Sequence, residues 1–300
     1  TPGSVVKGAS ILVGYNNNAI KIGERMVDEC IQIRGVKEKC SYRTLGNIDD
    51  ITALAMSSNV YQWKTAIKLT GNTYRRGMTL PLDQSAFDKY RKMYHSFGLG
   101  VKTEIDLPVE SLGYGAKKDT RAGNLLDFVI GQYETYTTIQ LSQYINTMAN
   151  NGSRLTPHLL KEVHKSTDDD SLGKTIFTYK VKELNKVDTK EEYMARVHEG
   201  FHAVINSSVG YGRGYMDTAY DPSGKTGTSQ SFIDTDNDGV IDKETITSTF
   251  VGYAPSNNPK MSIAVVSPNS SRSDTSNTYA SMVTKRITKR ATDAYFTLNP

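Results

Sequence analysis

The spacing of apolar positions divides the chain into a largely helical stretch and a strand-rich one, with the change near residue 222. At the start, Thr1-Pro2-Gly3-Ser4 runs into apolar Val5, Val6, Ile11 and Leu12, the pattern of a turn feeding a helix. Ser4 then falls in the first helical turn, where backbone N–H groups have no partner within the helix. Residues 16–46 look irregular. Within them 29–34 alternate like a short strand, a second short strand is expected about 40–45, and Gly35 would turn a hairpin between the two. Helical spacing follows at roughly 48–56, 60–70, 85–97, 137–150 and 190–206, with stops such as Asn151-Gly152. Beyond 222 the period falls to two, predicting strands at 224–232, 245–253 and 261–267, then an amphipathic helix at about 275–296.

Helices segregated from a mostly antiparallel sheet argue for an α+β fold and against a doubly wound parallel one. No internal repeat or low-complexity tract interrupts the chain, so one compact unit is expected. It would comprise a helical subdomain at about 16–206 and a sheet subdomain of about 1–15 plus 207–300.

Composition narrows the function classes. The 300 residues carry 36 Lys+Arg and 32 Asp+Glu, a formal charge of +4, with 37% hydrophobic residues. That is an ordinary folded composition, long enough for a core without a disulfide or metal framework. Like charges are scattered, with no run longer than Asp168-Asp169-Asp170, so neither a nucleic-acid face nor a polybasic membrane patch is indicated. Apolar runs such as Ile11-Leu12-Val13 fall far short of the about 18 residues that a membrane span needs.

Three short motifs carry candidate chemistry. Ser4-Val5-Val6-Lys7 puts a hydroxyl and an amine on one face of a helix, within reach of each other, which is how a lysine activates a serine. Ser57-Ser58-Asn59 sets a second hydroxyl and a carboxamide at a helix stop. Each of these pairs is common by chance. Lys225-Thr226-Gly227-Thr228 is more specific, because a glycine within a strand marks a place where another backbone approaches closely.

Taken in order, Ser-x-x-Lys at a helix start, Ser-x-Asn near a helix end and Lys-Thr-Gly-Thr on a strand resemble the signature of penicillin-recognising serine acyl-transferases. The sequence is similar to the transpeptidase domain of class B penicillin-binding proteins, most like the type 2b branch. Gly131-Gln132-Tyr133-Glu134-Thr135-Tyr136-Thr137, Gln140-Leu141, Met148-Ala149-Asn150-Asn151-Gly152 and Pro157-His158 resemble the family's long helical stretch. Phe250-Val251-Gly252-Tyr253-Ala254-Pro255 resembles its second core strand and turn. Thr138 stands where members carry Pro. Ser58 stands where serine β-lactamases commonly carry Asp, which favours a penicillin-binding protein.

The resemblance implies the penicillin-binding protein and serine β-lactamase-like fold, an antiparallel sheet flanked by helices. Because the chain begins three residues before Ser4, it is expected to be a fragment, with N-terminal strands, a non-catalytic module and a membrane anchor ahead of it. The implied activity is a peptidoglycan D,D-transpeptidase working at the extracytoplasmic face of the membrane. Its partners are D-Ala-D-Ala stem peptides, β-lactams and, through regions outside this chain, other cell-wall synthesis proteins. No cofactor is implied. Ser4 would attack, Lys7 would act as base and Ser57 would relay a proton. Asn59 would hold the substrate amide, Lys225, Thr226 and Thr228 its carboxylate, and Gly227 would leave room for its backbone. The Ser4 and Thr228 N–H groups would hold the oxyanion. A serine β-lactamase, a D,D-carboxypeptidase or a non-catalytic β-lactam sensor would use the same elements.

Three further patterns point elsewhere. His198-Glu199-Gly200-Phe201-His202 matches the helical zinc metallopeptidase pattern, although the residues after it offer no third ligand at the usual spacing. Asp234, Asp236, Asp238 and Asp242, with Asn237 and Gly239, follow the first half of a calcium loop, but Thr245 stands where the closing Glu is required. An acidic hairpin turn explains the same residues. Cys30 and Cys40 are expected as reduced thiols flanking the hairpin, although an extracytoplasmic location would permit a bridge.

Overall fold

The computed structural model describes residues 1–236, 238–272 and 278–300. Asn237 of the acidic loop and the first positions of the helix expected from 275 lie outside the described residues. A 3-10 turn over Gly3–Val6 leads into α1 (Lys7–Asn16), in which every residue but Asn16 is buried. A helix wrapped on all sides sits at the centre of a fold. Around α1 pack α3 (Asn59–Leu69), α4 (Gln84–Ser96) and α7 (Glu191–Asn206), and α2 (Asp50–Ala55) lies along α7.

Local chemistry fixes where these helices begin. The side chains of Asp49, Ser58 and Asp83 accept the N–H of the third residue onward, and Thr137 with Gln140 forms a capping box at α6 (Thr138–Ala149). Each cap contributes about 1 kcal/mol. One of them, Ser58, lies inside the Ser57-Asn59 motif, so the cap that starts α3 also sets the direction of its two neighbours.

The main sheet is antiparallel, in the order β7-β8-β9: β7 (Ser223–Ile233), β8 (Lys243–Ala254) and β9 (Met261–Arg272). Lys225 lies opposite Val251 and Gly227 opposite Thr249. From Thr247 to Ala254 β8 is buried on both faces, which requires a covering layer on each side; α6 and α8 (Thr278–Leu298) both pack on β8 and β9. The larger core runs without a break from α1 through α3, α4 and α6 to Val251 and Tyr253 of the sheet. A smaller cluster joins Val204 and Ile205 to Tyr215, Met216, Phe250 and Ala254.

Several expectations change. The short strands that pair near the second motif are β1 (Met26–Asp28) and β2 (Gly46–Ile48), outside the hairpin expected about Gly35. Inside that hairpin the ladder is reduced to a single bridge between Ile31 and Lys39, because Ile33 bridges Met78 instead. Cys30 and Cys40 are joined in a disulfide, with Cα atoms 4.3 Å apart, where reduced thiols were expected. The Ile31–Lys39 bridge aligns the residues next to them. The short elements α5 (Gly123–Phe128), β3 (Ser153–Leu155) paired with β6 (Glu183–Lys186), and β4 (Glu162–His164) paired with β5 (Thr175–Thr178) were not foreseen.

Candidate active site

The three motifs converge where the start of α1, the turn between α2 and α3, and the edge strand β7 meet. A cavity of 660 Å³ is lined by Ser4, Ser57, Asn59, Thr226, Gly227 and Thr228. Tyr42, Tyr211, Arg213 and Tyr215 extend its wall, and Ser281, Met282 and Lys285 of α8 complete it. Lys7 and Lys225 are both fully buried beneath it.

The turn carrying Ser4 is pressed onto β7. Gly3 has φ +63°, and a Cβ built on it would lie 2.6 Å from the Thr228 carbonyl oxygen. On the strand side, a Cβ on Gly227 would lie 2.6 Å from the Pro2 carbonyl oxygen and 3.3 Å from the Ser4 nitrogen. On the side a Cβ would take, the backbone that approaches Gly227 is the protein's own Ser4 turn, while the residue also lines the cavity.

Ser57 occupies the junction. It has φ +55°, a left-handed conformation that costs a residue with a Cβ about 1–2 kcal/mol. That conformation presents both its carbonyl and its hydroxyl to Lys7, at 2.7 and 3.2 Å from Nζ. The third N–H of Lys7 goes to Asn59 Oδ1 at 2.6 Å. Lys225 Nζ donates to the same Ser57 hydroxyl at 2.9 Å and to the Thr226 carbonyl at 3.0 Å. A charged Lys7 thus has all three donors engaged away from Ser4, where direct Ser4–Lys7 contact had been expected. Loss of its proton frees one direction and supplies a lone pair.

The electrostatics favour that loss. Burial holds Lys7 well below the ordinary lysine range, the nearby Lys225 charge pushes the same way, and Asp28 opposes both. Burial pushes Lys225 down to about 7. A neutral amine beside a hydroxyl, with a second amine that is charged or neutral around pH 7, is equipped to take and return protons.

Asp28 escaped sequence reasoning. It is buried at the end of β1, accepts from the Ser41 hydroxyl at 2.8 Å and from the Ser58 hydroxyl, and so supports the Ser57–Asn59 turn from behind. Ser41 in turn accepts the N–H of Asn59 at 3.0 Å and of Val60 at 3.2 Å. A lone carboxylate in an irregular region leaves no signal of this in the sequence. Tyr211 to Tyr215, a glycine-spaced run preceding β7, carried the available signal for the cavity wall.

Of the two competing metal patterns, the histidine one does not assemble. His198 faces Tyr253, with Nδ1 and the hydroxyl 2.8 Å apart, while His202 pairs with Asp221 and Glu199 with Arg196. Among the described residues His198 and His202 join no group of metal-ligating side chains, which removes the zinc reading. Asp234, Asp236 and Asp238 do gather. Their carboxylates receive the N–H groups of Gly239, Asp238 and Val240, the bonding of an acidic turn, and Asp242 is bound separately to Thr235.

A half-buried serine at the turn into a buried helix, backed by two buried lysines that share one hydroxyl and flanked by the edge strand β7, is the layout of a serine acyl-transfer centre. The chain belongs to the penicillin binding protein transpeptidase domain family, which matches residues 1–292. It is 42% identical over 298 residues to penicillin-binding protein 2A of Bacillus subtilis, covering 99% of this chain and 41% of that protein. Penicillin-binding protein 2B of Streptococcus pneumoniae is 36% identical over 277 residues, covering 89% of this chain and 40% of that one. A solved structure of penicillin-binding protein 2B from Streptococcus pneumoniae strain 5204 superposes with a TM-score of 0.85 at 33% identity, over 100% of this chain and 47% of that chain. The chain thus spans about two fifths of the length of these curated relatives.

Proposed function

We propose that this chain is the catalytic domain of a peptidoglycan D,D-transpeptidase that forms an acyl-enzyme on Ser4. The observation that carries the reading is the Ser57 hydroxyl held between two buried lysines at the floor of the cavity that Ser4 lines. Neutral Lys7 takes the Ser4 proton as Oγ bonds to the carbonyl carbon of the penultimate D-Ala of a stem peptide. The bond to the terminal D-Ala nitrogen then breaks, and that nitrogen receives the proton through Ser57. An acceptor amine on a second stem attacks the ester, gives up a proton to the same relay and releases Ser4.

The remaining motif residues bind. Asn59 meets the substrate amide, while a charged Lys225 and the hydroxyls of Thr226 and Thr228 meet the terminal carboxylate. The N–H groups of Ser4 and Thr228 stabilise the oxyanion, and the contact between the Ser4 turn and β7 fixes their separation. Short of the Gln132 contacts at Thr228 and Gln230, the outer side of β7 carries no other strand among the described residues and receives an extended peptide. β-Lactams, which present a strained acyl group and a carboxylate, acylate the same serine. The Cys30–Cys40 disulfide fits an extracytoplasmic location, with the membrane anchor and the contacts to other cell-wall synthesis proteins supplied outside this chain. No helix among the described residues is long and apolar enough to cross a membrane.

Intact-protein mass spectrometry after incubation with benzylpenicillin tests the reading. A stoichiometric adduct that persists for hours and is absent from Ser4→Ala is expected. An adduct that clears quickly would point to a β-lactamase, and none at all would overturn the acyl-enzyme.

A further inference from the structure

Against Gly3, next to Ser4, lies a turn with no assigned role. α5 ends in a Schellman motif, in which the Gln132 N–H bonds the Asp127 carbonyl at 2.9 Å and the Gly131 N–H bonds the Phe128 carbonyl at 3.0 Å. Gly131, at φ +79°, is the left-handed residue of that motif, and its carbonyl accepts the Gly3 N–H at 2.9 Å. A Cβ on Gly131 would lie 2.1 Å from the Gly3 carbonyl oxygen, just as one on Gly3 would meet Thr228. Three backbones are stacked in contact, residue 131 on residue 3 on residue 228.

Gln132 closes this stack from outside. Its Nε2 donates to the Thr228 carbonyl at 3.2 Å, and its Oε1 accepts the Gln230 N–H at 3.3 Å. One carboxamide therefore makes the pair of bonds that a residue of a neighbouring strand would make on this edge. β7 has no other strand on that side among the described residues. Gln132 lines a neighbouring cavity of 940 Å³ with Gln230, whereas Thr228 lines the cavity of Ser4.

We infer that Gln132 is a positioning residue for acyl transfer, tying the Ser4 turn held by Gly131 to the Thr228 segment of β7. The inference rests on the acyl-enzyme reading above. Under that reading the Ser4 and Thr228 N–H groups must stay at a fixed spacing, since an oxyanion site works through donors placed before reaction. A turn that grips one donor's loop with its backbone and the other donor's strand with its side chain supplies that constraint. Gln132 does so from outside the reacting cavity.

Stopped-flow acylation by a fluorescent penicillin separates the dissociation constant of the first complex from the acylation rate constant. For Gln132→Ala the acylation rate constant is expected to fall about tenfold, with the dissociation constant changed less than about twofold, the pattern of a lost transition-state constraint. Gln132→Glu supplies a readout that a purely structural role would not move. Its carboxylate opposes the Thr228 carbonyl, but its protonated form donates to that carbonyl and accepts from Gln230. The ratio of its acylation rate to that of the unsubstituted chain should therefore rise as pH falls toward the carboxyl range, near about 4.3, while the ratio for Gln132→Ala stays flat.

An unchanged acylation rate constant in Gln132→Ala, a change confined to the dissociation constant, or a flat ratio for Gln132→Glu would each overturn the inference alone. If Gln132→Ala no longer unfolds cooperatively, the Gln132→Glu ratio decides. Absence of a Ser4 adduct on the unsubstituted chain would overturn the acyl-enzyme reading, and the inference with it.

Discussion

The hydroxyl of Ser57 and the ammonium of Lys225, 168 residues apart in the chain, meet at 2.9 Å in the floor of the cavity, and that one oxygen also takes a bond from Lys7. Two lysines on one acceptor in a buried site cannot both be charged without cost, since each charge disfavours the other. The state with Lys7 neutral keeps its bonds to the Ser57 carbonyl and to Asn59 and gives up the longer one, at 3.2 Å, to the hydroxyl that Lys225 also holds. This state is also the one ready to deprotonate Ser4.

The acylation rate should carry this division of charge in its pH dependence. Neutral Lys7 is needed for attack and charged Lys225 for the ligand carboxylate. The second-order acylation constant should therefore rise with pH as Lys7 loses its proton, then fall as free Lys225 titrates near 7. In Lys225→Arg the absolute rate drops but the alkaline fall disappears, because arginine stays charged. An alkaline limb unchanged in that variant would assign the fall to another group.

The same two residues make stability depend on pH. Both have folded pKa values below the unfolded lysine value, so between about 7 and about 10.4 the unfolded chain binds more protons and stability rises with pH. Urea midpoints measured from pH 7 to 9.5 should climb more steeply for the unsubstituted chain than for the Lys7→Met, Lys225→Met double variant. Parallel curves would mean that the lysines are not depressed.

Strain at Ser57 can be separated from its chemistry. Ser57→Ala and Ser57→Gly both remove the hydroxyl and should both lose acylation by two orders of magnitude or more, as for removal of a proton-transfer group worth about 10²–10⁴. They should differ in stability, because only alanine keeps a Cβ in the left-handed region. Chemical denaturation is expected to place Ser57→Gly about 1 kcal/mol above Ser57→Ala. The reverse order would show that the turn relaxes on losing its hydroxyl.

The disulfide acts on the site through its neighbour. Cys40 precedes Ser41, whose hydroxyl accepts the Asn59 N–H, so the Cys30–Cys40 link supports the carboxamide that holds Lys7. Closing a loop with a sequence separation of 10 is worth about 2–3 kcal/mol. Cys30→Ser with Cys40→Ser should lose that much stability by urea titration and acylate a few-fold more slowly. A variant as stable as the parent would remove the disulfide as a support.

How much of this was legible in the sequence follows from range. The long helices were visible because their starts are spelled locally, in Asp49, Ser58, Asp83 and Thr137, and their bounds fall close to the expected ones. The strand period of the last third anticipated β7, β8 and β9. The hairpin about Gly35 misled because Ile31 and Ile33 do alternate into the core, yet find partners at Lys39 and Met78 and not along one ladder. α5 and β3 to β6, at three to six residues each, are too short to show a period. The eight motif residues gather at one site, but Asp28 and Gln132 reach it only through tertiary position. No local pattern marks Asp28, and Gln132 stands out only within the family-like run from Gly131 to Thr137, with no role attached.

Asp28 offers the last test, because its two effects have opposite consequences. Its charge raises the pKa of Lys7, so Asp28→Asn should lower it and move the acid limb of the acylation profile to lower pH, making the variant faster relative to the parent in acid. Its carboxylate also holds Ser41 and Ser58 in a buried site, and replacing it leaves those hydroxyls poorly matched at a cost of about 1–3 kcal/mol. The expected variant is therefore less stable yet active over a wider acid range. If the acid limb stays in place while stability falls, Asp28 serves the turn alone, and burial with Lys225 suffices to keep Lys7 ready for Ser4.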